Sequence, residues 1–157
     1  MLKRMFMVLA FVLVSFGVAS ANPQYRPYLN GDRNYIMCTM HQDAFYYVER
    51  DSLRVDSYNP PEYVITVNIA TVDSGGRNIS VSHSKPVHFY YNYENGEMYV
   101  NTKDYFKNAN DEWKYLEPKA GWSRGGRFVI AGDIAFYLAY GMGFYIDTDR
   151  LSERVDS

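Results

Sequence analysis

The sequence predicts an α+β fold, in which a single antiparallel β-sheet of about five to six strands carries one C-terminal helix packed on one face. Three observations predict this fold class. Apolar residues alternate with polar ones from residue 62 onward, and glycine, proline and asparagine interrupt the alternation at intervals typical of hairpins. Aromatic residues make up 17% of the chain, with 16 tyrosines that favour strands. One compact apolar segment with helical spacing lies near the C-terminus, over residues 130–141.

The first 21 residues have the pattern of an export signal. Lys3 and Arg4 form a basic start, and residues 5–18 are almost entirely apolar. Small side chains precede Ala21, which predicts cleavage between Ala21 and Asn22. We expect an extended leader over residues 22–33, one domain over residues 34–147 and a flexible tail over residues 148–157. The exported protein is then secreted, periplasmic or held at the cell surface, with no integral membrane span after cleavage.

The first strands are predicted at residues 34–40 and 44–49, with a turn or short edge at residues 51–52. Pro60 and Pro61 break the chain because they lack backbone donors and fix φ. The clearest strand covers residues 62–72, and its odd-numbered apolar residues should face the core. A strand at residues 77–82 returns beside it, and Pro86 is expected to separate that strand from the next.

Asn95-Gly96 predicts a hairpin between residues 87–93 and 98–102. A two-residue loop would pair Tyr93 with Met98 but would set Glu94 opposite Glu97, a repulsion that a four-residue loop relieves.

Residues 104–119 predict a helical turn followed by a short strand. The predicted helix at residues 130–141 has Asp133 near its start, where a carboxylate favours the free N–H groups, and it ends at Gly141. A last short strand is expected at residues 144–147.

Charge and cysteine content narrow the functional classes. The formal net charge is −2 and the charges are interspersed, which argues against nucleic acid as a partner. The single cysteine, Cys38, cannot form an internal disulfide, and we expect it to be buried as a small apolar side chain.

The sequence offers no catalytic constellation. The three histidines (His41, His83 and His88) lack metal-ligand spacing, and no phosphate-binding glycine loop is present. We therefore predict no catalytic residue, no metal and no cofactor. The polar face of the hairpin instead predicts an aromatic and amide binding patch, unless the helix covers that face. The patch consists of Tyr90, Asn92, Tyr99 and Asn101.

Two segments carry a family resemblance. The run from Tyr46-Tyr47-Val48-Glu49 to Ser52-Leu53, followed by the alternating strand at residues 63–72, resembles the surface-adhesin protein E-like family of small exported bacterial proteins. The tyrosine hairpin and the buried C-terminal helix are also similar. The resemblance implies an antiparallel sheet with a helix on one face, and binding of extracellular host proteins.

The expected function is therefore a non-enzymatic binding or surface-interaction module, with an extracellular protein or glycan as its partner. One alternative is a small envelope hydrolase, which would gather His41 or His88 with acidic partners in a cleft. The other is a periplasmic assembly or inhibitor protein that uses an open strand edge.

Overall fold

The structure is a computed structural model that describes residues 27–73, 79–105, 109–121 and 125–157. The described residues do not include the predicted export signal, its cleavage point between Ala21 and Asn22, or most of the predicted leader. Part of the predicted strand at residues 77–82 does so too.

Seven strands form one antiparallel sheet in which each strand lies beside its neighbour in the chain. The strands are β1 Tyr28–Leu29, β2 Asp32–His41, β3 Ala44–Asn59, β4 Glu62–Asp73, β5 Val81–Asn92, β6 Glu97–Asn101 and β7 Trp113–Tyr115. The prediction of an α+β fold with a single antiparallel sheet is confirmed, but the predicted five to six strands were too few. β1 is a strand of two residues, too short for a period-two pattern, so sequence periodicity could not reveal it.

The helices are α1 Thr102–Tyr105, α2 Gly126–Tyr140 and α3 Thr148–Asp156. The predicted C-terminal helix is α2, which begins four residues earlier than expected. It ends as predicted at Gly141, which has φ +71° and donates its N–H to the Tyr137 carbonyl at 2.7 Å. Glycine suits this position because a side chain is strained at positive φ.

The main core lies between one face of the sheet and helices α2 and α3. Ile65 and Val67 of β4, and Phe89 of β5, are fully buried there against Ile134 and Phe136 of α2. The predicted core face of β4 is therefore confirmed. We call this side of the sheet the helical face and the opposite side the open face.

The open face is partly apolar rather than polar along its whole length. Where the start of β3 pairs with the end of β4, Tyr47, Ala70 and Val72 are buried in a second cluster with Leu29 and Phe45. Neither α2 nor α3 contributes a residue to this cluster. The polar part of the open face therefore lies at the other end of the long strands, over β4 to β7.

Strand β5 runs through Pro86, contrary to the predicted break. Pro86 pairs with Asn68 of β4, and β6 pairs only with the last part of β5, from Phe89 onward. The N–H of His88 points away from β4, toward Asp104. Alternate residues of a strand direct their N–H groups to the same side, so the nitrogen of Pro86 faces a side without a strand partner and no ladder bond is lost.

The β5–β6 hairpin has the four-residue loop, not the two-residue one. Asn92 pairs with Glu97 and Tyr91 with Met98, so Glu94 is not opposite Glu97. Asn92 Oδ1 accepts the N–H of Asn95 at 3.0 Å and fixes the turn. Compared with a two-residue loop, the four-residue loop moves the pairing of β5 with β6 by two residues. An even shift keeps each side chain on the face that the sequence predicted.

Strand β3 continues past the predicted turn at residues 51–52. Its pairing with β4 is irregular between Glu49 and Arg54, where a bulge is accommodated. The hydroxyl of Ser52 donates to the Glu49 carbonyl at 2.6 Å and accepts the N–H of Asn68 at 2.7 Å, which bridges the irregular part of the ladder. The strand then ends at the predicted proline pair.

Asp133 does not cap the start of its helix. It is the eighth residue of α2 and is fully buried. Its Oδ1 accepts the N–H groups of Phe144 and Tyr145 at 2.8 Å and of Ile146 at 3.1 Å. The segment at residues 144–147 is consequently a loop held by one carboxylate, and the predicted last strand is wrong.

The predicted flexible tail is wrong as well, because residues 148–156 form α3. Asp147 caps this helix by accepting the N–H of Asp149 at 3.0 Å. Leu151 and Val155, four residues apart on one side of the helix, are buried in the main core. A single apolar side of one short helix is a weak sequence pattern, which explains the error.

The end of the predicted leader is part of the folded domain. Tyr28 pairs with Ile36 of β2, and its hydroxyl donates to the carbonyl of Val155 at 2.6 Å.

Cys38 is buried, as predicted, and its thiol donates to the Tyr46 carbonyl at 3.0 Å. Among the described residues, no helix has both the length and the apolarity needed to cross a bilayer.

Candidate functional site

The predicted patch lies on the open face. Tyr90 of β5 pairs directly with Tyr99 of β6, and the alternate residues Tyr91 and Met98 point to the helical face, where they are fully buried. Helices α2 and α3 therefore do not cover the patch.

Four aromatic rings continue across three strands and form what we call the aromatic row, Tyr90, Tyr99, Trp113 and Tyr115. The ring centre of Tyr90 is 5.5 Å from that of Tyr99 and 5.8 Å from that of Trp113. The ring of Tyr99 is 5.6 Å from that of Tyr115. Trp113 and Tyr115 are 44% and 45% exposed, so the row ends in two accessible rings.

Neighbouring carboxylates hold the two inner tyrosines. The Tyr90 hydroxyl donates to Glu62 Oε1 at 2.7 Å, and the Tyr99 hydroxyl donates to Glu97 Oε2 at 3.0 Å. The hydrogen bond to Glu62 raises the pKa of Tyr90, and desolvation followed by the bond to Glu97 raises the pKa of Tyr99. Both hydroxyls thus keep their protons, and both ring planes are fixed.

The two predicted asparagines differ in position. Asn92 fixes the β5–β6 turn, so its side-chain oxygen is already used there. Asn101 lies beside Trp113, and its Nδ2 donates to Asp111 Oδ1 at 2.5 Å. Asn101 lines the cleft that adjoins the aromatic row, and Asn92 is not among the described residues that line that cleft.

A polar cleft of about 430 Å³ adjoins the aromatic row: Trp113 belongs to both, and Asn101, which pairs with Trp113, also lines the cleft. Three carboxylates, two cationic side chains and one imidazole supply the ionisable groups of its lining: Asp56, Asp104, Asp111, Arg54, Lys103 and His88. These residues come from β3, β5, α1 and the segment before β7, which meet only in the folded sheet.

Asp104 of α1 fixes His88. Its Oδ2 accepts the backbone N–H of His88 at 2.8 Å and lies 2.9 Å from Nδ1 of the same residue. Because a carboxylate accepts hydrogen bonds, Nδ1 is the ring nitrogen that carries the proton. The helical turn α1 thereby supplies β5 with an acceptor at the point where pairing with β6 has ended.

Asp56 and Asp111 are each matched with a cation. Asp56 accepts Arg54 Nε at 2.8 Å and the Thr66 hydroxyl; burial favours its neutral form, but these hydrogen bonds prevail and lower its pKa. Asp111 lies 2.8 Å from Lys103 Nζ, and that hydrogen bond, followed by the one from Asn101, lowers its pKa. Both carboxylates are ionised at neutral pH, and the cleft as a whole is close to neutral.

The cleft presents a set of fixed hydrogen-bonding groups. Within the described ranges, no group of three or more histidine, cysteine or acidic side chains is placed to hold a metal ion. The cleft offers carboxylate, amide, guanidinium and ammonium groups whose positions are fixed by one another. These groups can form hydrogen bonds with a ligand that presents several hydroxyls. Because such a ligand is neutral, its binding does not require a charged group to lose its hydration water.

Sequence reasoning missed half of the aromatic row and most of the cleft. A short strand was predicted within residues 104–119, and β7 lies there, but its bounds were not predicted; only with those bounds do Trp113 and Tyr115, two residues apart, share one face. The pairing of His88 with Asp104 depends on the turn α1 and has no local sequence pattern.

Comparison of the chain with protein-family models, with curated proteins and with solved structures gave no match. The resemblance to the surface-adhesin family therefore stays a prediction, and the function is argued from the site itself.

Proposed function

We propose that the protein is a binding module that holds a neutral glycan along the open face of its sheet. The observation that carries this proposal is the continuity of the aromatic row with the polar cleft through Trp113, which pairs with Asn101 at the rim of the cleft. A sugar ring has an apolar C–H surface and a rim of hydroxyls, so it can lie against exposed rings while its hydroxyls bond fixed polar groups.

Charge and shape favour a neutral glycan over the other expected partner, a protein. Carboxylates outnumber cations by one in the cleft, which disfavours an anionic ligand. The volume of about 430 Å³ fits the usual size of a small-ligand pocket, whereas standard protein interfaces use broader surfaces.

Export is part of the proposal. Its support is the basic and apolar pattern of residues 1–21, together with the resemblance to small exported bacterial adhesins. A secreted, periplasmic or surface location would place the open face among envelope or extracellular glycans.

The proposal is tested by calorimetric titration of the protein with tetrasaccharides of β-1,4-linked glucose, N-acetylglucosamine and xylose. We expect at least one to bind, and Trp113→Ala to weaken that binding about tenfold or more. Asn101→Ala should weaken it in the same direction. The matched control is Tyr58→Ala, which removes a ring that is 67% exposed but packs with Tyr63 and Tyr140 away from the cleft.

Absence of binding to all three tetrasaccharides would overturn the assignment of a neutral glycan. Binding that is unchanged in both Trp113→Ala and Asn101→Ala would overturn the assignment of the site.

A small envelope hydrolase is the second candidate, and the His88–Asp104 pair favours it. An imidazole oriented by a carboxylate, within a cleft that also contains Asp56 and Asp111, is an arrangement that general acid–base catalysis uses. If this alternative holds, a bound tetrasaccharide is cleaved, and His88→Ala abolishes cleavage while binding persists. Recovery of the bound tetrasaccharide intact would exclude hydrolysis of that ligand.

Strand addition, which an assembly or inhibitor protein would use, has less support where β2 extends beyond its pairing with the two-residue strand β1. Arg154 Nη1 of α3 donates to the carbonyls of Met37 and Cys38 at 3.2 and 3.1 Å. The guanidinium therefore occupies backbone acceptors in this part of β2, which disfavours addition of another strand there.

A further inference from the structure

A second exposed aromatic surface lies where the β3–β4 turn and the β5–β6 turn meet the C-terminal end of α2. Tyr58 is 67% exposed and Tyr93 is 49% exposed. The N–H of Tyr93 donates to the carbonyl of Pro61 at 2.8 Å, so a main-chain hydrogen bond holds the two turns together. We call this surface the aromatic end.

Partly buried rings join the two exposed rings into one surface. The ring centre of Tyr140, at the end of α2, is 6.0 Å from that of Tyr58 and 5.2 Å from that of Tyr63. The fully buried ring of Phe136 is 4.9 Å from that of Tyr140 and 6.1 Å from that of Tyr93. Each exposed ring is therefore supported from below by rings that pack in the core.

The segments that form the aromatic end carry only acidic charge. Residues 55–66, 89–98 and 130–147 contain no lysine, arginine or histidine. Glu62 precedes Tyr63 in the chain and Glu94 follows Tyr93; both carboxylates are exposed, and neither is in an ion pair among the described residues. The C-terminal end of α2 adds the partial negative charge of a helix terminus.

Exposed aromatic rings bordered by carboxylates match a cationic partner. A guanidinium stacks on the face of an aromatic ring, and its paired donors also fit a carboxylate. Because Tyr58 and Tyr93 lie on different turns, two cationic side chains can be held at once, which favours a chain with several arginines over a single small cation. The net charge of this protein is −2, so charge does not favour a second copy as the partner.

We propose that the aromatic end docks an arginine-rich segment of another protein. Guanidinium groups of that segment lie on the exposed faces of Tyr58 and Tyr93, and Glu62 and Glu94 balance their charge. This surface does not depend on the proposed glycan site, because none of these four residues lines the polar cleft or belongs to the aromatic row.

The test is calorimetric titration of the full protein at pH 7 with an octapeptide of alternating arginine and serine whose termini are blocked. The control peptide has citrulline in place of each arginine, which keeps the length and shape of the side chain and removes its charge. We expect saturable binding of the arginine peptide, weakened by added NaCl, and no binding of the citrulline peptide.

Substitutions locate the binding. Tyr58→Leu and Tyr93→Leu keep apolar bulk but remove the aromatic face, so each should weaken binding about threefold and the double variant about tenfold. Tyr115→Leu is the matched control, since it removes a ring of similar exposure from the aromatic row and should leave binding unchanged.

The charge is tested in the same way. Glu94→Gln should weaken binding and reduce its dependence on salt. Its matched control is Glu112→Gln, which neutralises an exposed carboxylate in the segment before β7 and should have no effect.

Far-UV circular dichroism verifies that each variant is folded. The proposal would be overturned if the arginine peptide did not bind, if the two peptides bound equally, or if the folded double variant kept the affinity of the wild type. Binding of phosphatidylcholine vesicles without binding of the arginine peptide would overturn it too, because the aromatic end would then serve a lipid headgroup.

Discussion

At the scale of single residues, Asp133 is the buried charge on which the loop between α2 and α3 depends. One of its oxygens accepts three backbone N–H groups, and the other has no hydrogen-bond partner among the described residues. We expect Asp133→Ala to lower the free energy of unfolding by about 3 kcal/mol or more, because three part-buried backbone donors lose their acceptor. Asp133→Asn keeps one acceptor oxygen and should lose less. Urea unfolding measures both, and equal stability of Asp133→Ala and wild type would contradict this role.

Asp133 also predicts a pH dependence. Burial raises its pKa above the ordinary value of 3.8, although the three backbone hydrogen bonds act in the opposite direction. The folded protein therefore holds the proton more tightly than the unfolded chain, and the contribution of this group to stability falls as pH rises from 3.8 through the folded-state pKa. The difference in unfolding free energy between wild type and Asp133→Asn should change with this sign between acidic and neutral pH. A difference that is constant with pH, or of opposite slope, would refute it.

Cys38 should be chemically inert in the folded state. Burial raises the pKa of its thiol to about 12, and only 2% of the residue is exposed. The thiolate is the reactive species, so an aromatic disulfide reagent should label the native protein far more slowly than the urea-unfolded chain. Equal labelling rates in the two states would show that the thiol is accessible.

At the scale of elements, α3 closes the main core at one end. Leu151 is fully buried, whereas its neighbour Arg150 is exposed. We expect Leu151→Ala to lower the free energy of unfolding by about 2–5 kcal/mol and Arg150→Ala to change it little. Urea unfolding of the two variants makes the comparison. A small effect of Leu151→Ala would mean that α3 does not contribute to the core.

The elements with long periodic patterns were predictable, whereas the short ones were predicted without their bounds or not at all. β4 and the β5–β6 hairpin follow from alternation over many residues, and α2 follows from its apolar composition and Gly141. A helical turn and a short strand were expected within residues 104–119, where the end of α1 and all of β7 lie. β1 and α3 were not expected, because each is short and depends on tertiary contacts such as the bond from Tyr28 to the Val155 carbonyl. The continuity of β5 through Pro86 also required knowledge of where β6 ends.

At the scale of the whole molecule, the candidate site combines what periodicity predicts with what only topology assembles. Alternation predicted that Tyr90, Tyr99 and Asn101 share a face. The cleft beside them joins Arg54 of β3 with Asp104 of α1, residues whose proximity depends on the order of strands in the sheet. No local sequence pattern predicts that these residues lie close together.

The proposed export concerns the whole chain and has its own test. We expect the protein isolated from its native host to begin at Asn22, because the small side chains before it suit signal-peptide cleavage. N-terminal sequencing makes the measurement. A protein that begins at Met1 and remains inside the cell would refute the predicted export.

The central claim is that the open face binds a neutral glycan, and amide and indole NMR shifts during titration with the three tetrasaccharides test it most directly. The account predicts saturable shifts at Tyr99, Asn101 and the Trp113 indole, with little change at Tyr58 or along α2. Shifts confined to the helical face, or none with any of the three sugars, would contradict it.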